Sequence, residues 1–570
     1  MKSTILSRRD LDFLLYEWLD VEKLTALDRF TEHSRETFDG VLDLSEQLAT
    51  RYFAPHNKLS DAAEPTFDGQ TVTLIPEVKE AWDAFAAADL LAMGFDDELG
   101  GAQLPVTVAQ AAFAWIAAAN VSTSGYLMLT IANANLLAHF GTPEQIETYV
   151  KPMLAGRFSG TMALSETQAG SSLADITTRA EPQSDGSYRL FGSKMWISGA
   201  EHELTENIVN LVLAKISGGP AGTKGISLFI VPKILPDGTR NGVAISGLNH
   251  KMGQRGITNT VLNFDGAVGY LVGEPHRGIV YMFHMMNEAR LGVGMGAVAL
   301  GYTGYLKSVE YARERPQGRP LGVKDPSTPQ VPIIEHADVK RMLLAQKAYV
   351  EGGLALALYC AKLVDTGDQA VLDILTPVAK SWPSQWCLEA NNLAIQVHGG
   401  YGYTREYDVE QHYRDNRLNP IHEGTHGIQS LDLLGRKATQ NGGASLAALG
   451  ERVAVTVSAA RAGAAPKLAD QLDASWQRLV AVTGAMFTSG DVEAAMANSA
   501  VYLEAFGHIV VAWIWLEQVL AAEGRAGDFY DGKRQAAQYF FRYELPKTAP
   551  QLDLLESLDR TTLEMRDSWF

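Results

Sequence analysis

The stretch Asn419-Pro420-Ile421-His422-Glu423-Gly424-Thr425-His426 admits two incompatible readings, and the choice decides how the chain around it must fold. As letters it contains His-Glu-x-x-His, in which two histidines four apart on one helix hold zinc and the glutamate activates water. As chemistry it presents a carboxylate soon after a proline with glycine behind it, which suits a general base in a close-approach site. The zinc reading demands a continuous helix through His422 and His426. Pro420 is tolerated only in the first turn of such a helix, and Gly424 inside it costs about 1 kcal/mol. No third histidine follows at the usual spacing. The residues therefore favour Glu423 as a base, with a zinc hydrolase built on His422, Glu423 and His426 as the distant alternative.

Outward from this stretch the chain reads as helical, β, helical, helical. Residues 1–40 form a charged lead in which Asp12 to Leu19 is expected to cap a later surface rather than form a domain. Ala-rich amphipathic segments such as Val78–Leu91 and Val108–Ala119 place a helical domain at 41–160. Within it Thr142-Pro143-Glu144-Gln145 combines an N-cap, a proline at the first helical position and a capping-box glutamine. The period then shortens: Ile208–Ala214, Ile226–Val231 and Thr260–Phe264 are β-prone runs punctuated by Gly, Pro, Asp and Asn, giving an antiparallel β domain at 161–275. Long helical segments return (Ile279–Arg315, Ile334–Val364) and predict a four-helix bundle at 276–437. Ala438–Ser445 reads as a linker, and 446–570 as an extra C-terminal helical domain. The expected class is α+β, mainly α.

Composition narrows the chemistry. At 570 residues, several domains are expected, and a net charge of -18 argues against a phosphate-backbone partner. The last 130 residues are acidic too, so they are no nucleic-acid arm. Two cysteines, Cys360 and Cys387, fit a reducing compartment. The start lacks an apolar signal core, and the most apolar run, Ile509–Leu516, is too short to span a bilayer. A cytoplasmic protein without a membrane span is expected.

Five further stretches matter. Met162 to Ser172, rich in small and hydroxyl residues, could offer N–H groups to a polar ring edge or phosphate; alone it reads more readily as a Ser/Gly turn. Lys194-Met195-Trp196-Ile197-Ser198-Gly199 sets an aromatic in a β context, where a core tryptophan is the commoner outcome. Arg313-Glu314-Arg315-Pro316-Gln317-Gly318-Arg319 brings three arginines to a helix end, equally suited to a pyrophosphate or to solvent. Gln396-Val397-His398-Gly399-Gly400-Tyr401-Gly402 has more glycines than one helix C-cap requires. Gly292-Val293-Gly294-Met295-Gly296 mimics a dinucleotide fingerprint, but helix rather than strand precedes it, so these glycines read as close helix packing.

Taken in order from about residue 78 to 437, the first four of these stretches together with Gly141–Gln145, Met252-Gly253-Gln254-Arg255-Gly256 and Glu423-Gly424-Thr425 resemble the acyl-CoA dehydrogenase family of flavoproteins. The lead and the C-terminal extension resemble its long bacterial subgroup, which includes 3-methylmercaptopropionyl-CoA dehydrogenases. The resemblance implies an FAD-dependent enzyme of fatty acid metabolism in which Glu423 removes the α-proton of an acyl-CoA thioester while the β-hydrogen passes to flavin N5. It implies that Met162, Leu164, Ser165, Gly170, Ser171, Trp196, Ile197 and Ser198 line the isoalloxazine. Arg315, Gln317, Gln396, Val397, His398, Gly399 and Gly400 would hold the pyrophosphate and adenosine half, completed by Thr425 and Gly427. Ser171, Asn287, Arg290 and Gly424 would meet the substrate. An electron-transfer flavoprotein as acceptor and a homodimer follow from the same likeness. An acyl-CoA oxidase on the same scaffold is the alternative. The family's Thr-Glu-Pro and Gly-Ser-Asp appear here as Ser165-Glu166-Thr167 and Gly170-Ser171-Ser172, and Gly427 stands where a glutamine is common.

Overall fold

A computed structural model describes residues 3–570. The chain divides into two compact units, Thr25–Gly292 and a discontinuous one made of Met1–Leu24 with Val293–Phe570.

In the first unit, helices precede a sheet. Val106–Ala119 (α1) and Val121–Phe140 (α2) meet at Asn120, whose side chain accepts from the Thr123 N–H at 3.0 Å and caps α2. The Thr142 capping box forms as the sequence predicts, with Gln145 reaching back to the Thr142 N–H at 3.1 Å. The seven-stranded sheet comprises Phe158–Ala163 (β1), Arg179–Pro182 (β2), Tyr188–Ser198 (β3), Asn207–Ile216 (β4), Ile226–Pro232 (β5), Val243–Leu248 (β6) and Asn259–Leu271 (β7).

The pairing path β4-β2-β3-β7-β5 closes because β5 also pairs β4, while β1 and β6 attach outside the ring. Closure leaves fewer unpaired edges. It also encloses a core of aliphatic and aromatic side chains, among them Leu190, Val212, Phe229, Leu262 and Phe264. The sheet is mostly antiparallel, as expected, with two exceptions: β1 and β2 both run parallel to β4. The reason is local. The chain leaves β1 through the turn-rich 164–178 segment rather than a tight hairpin, so β2 starts again in the same direction and lies end to end with β1 along one edge of β4, whose other edge carries β5. Asn133 of α2 donates to the carbonyls of Thr161 and Val209, which fastens the helix over β1 and β4.

In the second unit, the long helices are Gly278–Glu314 (α3, entering this unit at Val293), Ala337–Thr366 (α4) and Gln369–His398 (α5). Val409–Asn416 (α6) and His426–Asp432 (α7) follow, and a π-helical turn at Leu433–Lys437 extends α7 into a shorter fourth member of the bundle. The fingerprint-like glycines lie inside α3. A Cβ on Gly294 would stand 2.0 Å from the Ala379 carbonyl oxygen, so the small residue lets α3 touch the α5 backbone. Pro383 matters here, because it removes the N–H that would otherwise bond that carbonyl within α5.

Beyond the bundle, the expected linker contains a non-helical break, where Asn441, Gly442 and Gly443 take φ of 53°, 68° and 81° within Gln440–Ala462 (α8), and regular helix runs from there to Ala462. Pro466–Thr488 (α9), Ser499–Ala521 (α10) and Asp528–Tyr539 (α11) complete the extension. The apolar run expected to be too short for a bilayer belongs to the 23-residue α10, which by length and composition alone could cross one; 83% of its most apolar window lies inside the fold. Polar residues at its start, Tyr502, Glu504 and His508, mask its length in the sequence. The Asp12–Leu19 lead docks on this extension, with the Trp18 indole N–H donating to Glu517 at 3.1 Å.

Candidate active site

Glu423 does not lie on a helix. The segment from Arg417 to Thr425 is a loop between α6 and α7, and α7 begins only at His426, with the Thr425 hydroxyl as its N-cap. His422 and His426 therefore do not share the helical face that the zinc motif requires. Glu423 itself adopts φ of 54°, followed by Gly424 at 88°. A non-glycine residue in this region persists only where its surroundings over-determine it.

Those surroundings are buried and polar. The Lys380 ammonium, wholly buried in mid-α5, donates to the carbonyls of Asn419 at 2.8 Å and Gly424 at 2.7 Å. Buried Gln429 of α7 donates to the Glu423 carbonyl at 3.1 Å, and a Cβ on Gly424 would lie 2.5 Å from its amide nitrogen. The Asn416 amide bridges Asn391 at 2.7 Å and the Ala297 carbonyl at 3.1 Å, while Asn419 donates to Asn416. Burial, then the Lys380 charge, pushes His422 down to about 3 and lowers His426. Both imidazoles are thus neutral near pH 7, and Glu423 is left half-buried with its side chain on a fixed backbone.

The second constellation lies wholly in the other unit. After β1 the chain turns through Leu164–Ser172, and the buried Glu166 carboxylate anchors that turn. It accepts from the Thr177 and Thr178 N–H groups at 2.7 and 3.0 Å, from both threonine hydroxyls, from Gln168 and from the Lys194 ammonium at 2.9 Å. Burial alone would raise this carboxyl; Lys194 and the hydrogen bonds outweigh it and hold it at about 2. Lys194 also donates to the Leu164 carbonyl, and the Met195 N–H to that of Ser165. The loop altered at Ser165–Thr167 is therefore tied firmly to β3.

Immediately beyond Lys194, a bulge breaks the β3–β7 register, and Trp196 sits in it at φ of 67° with 61% of its surface exposed. The core placement favoured for a tryptophan in this context is thus overturned: the bulge turns the ring outward. Ile197 is buried beneath it, and the Ser198 hydroxyl accepts from Asn259 at 3.0 Å. Met162 is likewise buried, whereas Gly170 and Ser171 are exposed. In the same unit Arg290, 4% exposed on α3, donates to Asn287 one turn earlier.

The third constellation is a cleft of about 450 Å³ in the discontinuous unit, lined by Arg315, Gln317, Val397, His398, Gly399 and Gly400 with Tyr311 and Tyr401 among the other walls. Residues expected to act together, from two stretches eighty positions apart, converge here. The His398 ring stacks on Tyr311 at 4.3 Å, burial lowering its pKa, and the Arg315 guanidinium lies 5.8 Å from the Tyr401 ring centre. No carboxylate pairs with Arg315 among the described residues. Gln396 points outward on the last turn of α5 and does not line the cleft. Gly427 is exposed on α7, where a Cβ would meet only the Thr425 hydroxyl, at 3.9 Å. Sequence reasoning missed Lys380, Gln429 and the Glu166–Lys194 pair; a lysine amid apolar helix residues was the one local signal for the first.

Comparison with known proteins accounts for nearly the whole chain. Residues 43–157, 161–267 and 276–438 match the family models described as acyl-CoA dehydrogenase N-terminal, middle and C-terminal domains, and 449–566 match acetyl-CoA dehydrogenase C-terminal like. The 3-methylmercaptopropionyl-CoA dehydrogenase of Ruegeria pomeroyi is 35% identical, the alignment covering 93% of this chain and 94% of that one. A broad-specificity linear acyl-CoA dehydrogenase of Mycobacterium tuberculosis is 33% identical over 99% of both. Among solved structures, an acyl-CoA dehydrogenase complexed with FAD from Bacillus anthracis superposes with a TM-score of 0.76 at 19% identity, covering 94% of this chain and 90% of that one.

Proposed function

The chain belongs to the acyl-CoA dehydrogenase family, and we propose that it oxidises the Cα–Cβ bond of an acyl-CoA thioester to the trans-2-enoyl-CoA with FAD as cofactor. The observation that carries this reading is Glu423: a half-buried carboxylate on a loop of left-handed backbone that buried Lys380 and Gln429 hold by hydrogen bonds.

The residues present fit FAD. A cleft walled by aromatic rings, with an arginine that lacks a carboxylate partner and two glycines whose backbone is open to approach, suits an adenosine pyrophosphate. The exposed Trp196 beside the anchored Leu164–Ser172 turn suits a flat ring and its polar edge. Bound FAD would supply the acceptor for the β-hydrogen and its electron pair.

This chain's own groups do the rest. Glu423 takes the α-proton, and the electrons of that C–H bond become the new double bond as the β-hydrogen leaves. Its own backbone N–H would meet the thioester oxygen, on which negative charge develops. Asn287 and Arg290 would contact the CoA portion, with Ser171 and Gly424 closing on the substrate. Thr425 and Gly427 would add backbone contacts to the cofactor. We place the enzyme in the cytoplasm, which its two buried free thiols support, and assign it an electron-transfer flavoprotein as acceptor and a homodimeric assembly.

Anaerobic mixing of the purified flavoprotein with linear acyl-CoAs and 3-methylmercaptopropionyl-CoA tests the reading. At least one should bleach the flavin, and Glu423→Gln should slow bleaching by about 10³-fold while FAD stays bound. A variant as fast as wild type would remove Glu423 from the mechanism. Reoxidation by dioxygen as fast as by an electron-transfer flavoprotein would favour the oxidase.

A further inference from the structure

We propose that Lys380 is the positioning residue of the catalytic base, clamping the two arms of the loop that carries Glu423. This rests on the assignment of Glu423 as base. Lys380 lies in α5 with none of its surface exposed, yet its ammonium is spent on backbone: the Asn419 carbonyl before Glu423 and the Gly424 carbonyl after it, at 2.8 and 2.7 Å. One side chain thus bonds both arms of the loop whose apex is the strained Glu423. Burying an ammonium is costly, and hydrogen bonds to charged groups are the strong ones, so this clamp resists opening.

Two independent features place Lys380 there. Gly294 of α3 brings its backbone against Ala379 and Lys380, where a Cβ would lie 2.0 Å from the Ala379 oxygen and 3.5 Å from the Lys380 Cα. The Ser384 hydroxyl donates to the Lys380 carbonyl at 2.5 Å, steadying α5 between Pro377 and Pro383. The electrostatics agree. Burial, and after it the Lys380 charge, lowers both histidines flanking Glu423, so they stay neutral and leave the lysine as the cation bonded to the loop.

The test uses the full-length holoenzyme carrying Lys380→Met, which keeps the apolar stem, and Lys380→Gln, which keeps a donor without the charge. Wild-type and Glu423→Gln bleaching are measured first; a wild type that does not bleach defeats the Glu423 assignment rather than this one. Given bleaching, Lys380→Met should slow the first-order flavin reduction at saturating acyl-CoA by about 10²-fold. Its affinity for the enoyl-CoA product should stay within about threefold, since only transition-state alignment is lost. Amide exchange should quicken across 417–425 while the β1 and β4 strands keep wild-type protection. An acyl-CoA with sulfur at the β-position can lose its α-proton but has no β-hydrogen to transfer, so the long-wavelength band of its bound enolate reports proton removal alone. That band should weaken in the variant. Reduction within about twofold of wild type in a folded variant would overturn the proposal. Equal losses in binding and in rate would overturn it as well. If Lys380→Met yields no folded holoenzyme, Lys380→Gln is judged by the same criteria, and failure of both to fold would assign Lys380 to global stability instead.

Discussion

Asp10 and Lys533, near the two ends of the chain, form a wholly buried ion pair with Nζ 2.5 Å from Oδ1. Lys533 also lies 2.9 Å from Glu351, which pairs with Lys347, and the Tyr302 hydroxyl donates to Asp10 at 2.8 Å. Two lysines and two carboxylates thus neutralise one another where the lead, the bundle and the extension meet. Asp10→Ala leaves an unbalanced positive charge and should lower stability by about 3–5 kcal/mol in urea unfolding. Asp10→Leu combined with Lys533→Met should recover most of that loss. A loss below about 1 kcal/mol in the single variant would show the pair to be dispensable.

The Glu166–Lys194 pair predicts an acid-dependent step in the β unit. The carboxyl's folded pKa of about 2 lies below its ordinary 4.5, so its stabilisation is complete above 4.5 and is lost as pH falls through 2. Glu166→Gln should therefore be less stable than wild type at neutral pH, with the gap closing between pH 4.5 and 2. Thermal unfolding across that range checks it; a gap independent of pH would show that the charge contributes nothing.

Trp196 separates cofactor binding from folding. Its left-handed backbone is strained by about 1 kcal/mol, and glycine there loses a similar amount through chain entropy. Trp196→Gly should hence leave the urea midpoint nearly unchanged while weakening FAD by about tenfold, the value of one aromatic stacking contact. Fluorescence titration of apoprotein with FAD measures the second quantity. Unchanged affinity would move the ring off the cofactor.

Arg315→Ala should weaken FAD by about 10–100-fold, as loss of a charge-assisted contact implies. Because Arg315 is exposed, the wild-type affinity should fall with added salt and that of the variant should fall less. Identical salt slopes would exclude a pyrophosphate contact.

Gly294→Ala places a methyl group against backbone, not against a side chain that could move aside. Overpacking of this kind costs about 1–3 kcal/mol, seen as a lowered thermal midpoint. The same substitution displaces α5 at Lys380, so flavin reduction should slow as well. An unchanged midpoint would mean that α3 and α5 separate more easily than the packing indicates.

Local chemistry made much of this legible. The Thr142–Gln145 box, the β4 and β5 runs and the failure of a helix at Pro420 to Gly424 each depend on neighbours within a few residues, and each forms as the residues dictate. The fingerprint-like glycines were read correctly because a helix before them rules out a phosphate turn. What escaped was non-local or depended on backbone geometry. Glu166 and Lys194 lie 28 positions apart and meet only because β1 and β3 bring them together. Trp196 reads as core until a bulge turns it outward. Lys380 stands between two prolines in an apolar helix, and nothing near it in sequence indicates the loop it holds.

The discontinuity of the second unit sets a schedule for synthesis. The first 24 residues leave the ribosome before any of the helices they pack against exists, and Asp10 meets its partner only after Lys533 emerges. At roughly 5–20 residues per second that delay is roughly half a minute to two minutes, during which Thr25–Gly292 has time to fold on its own. The Asp10–Leu19 segment is thus among the last pieces to dock, and anything that blocked its seat on the extension would obstruct the closing step rather than the opening one.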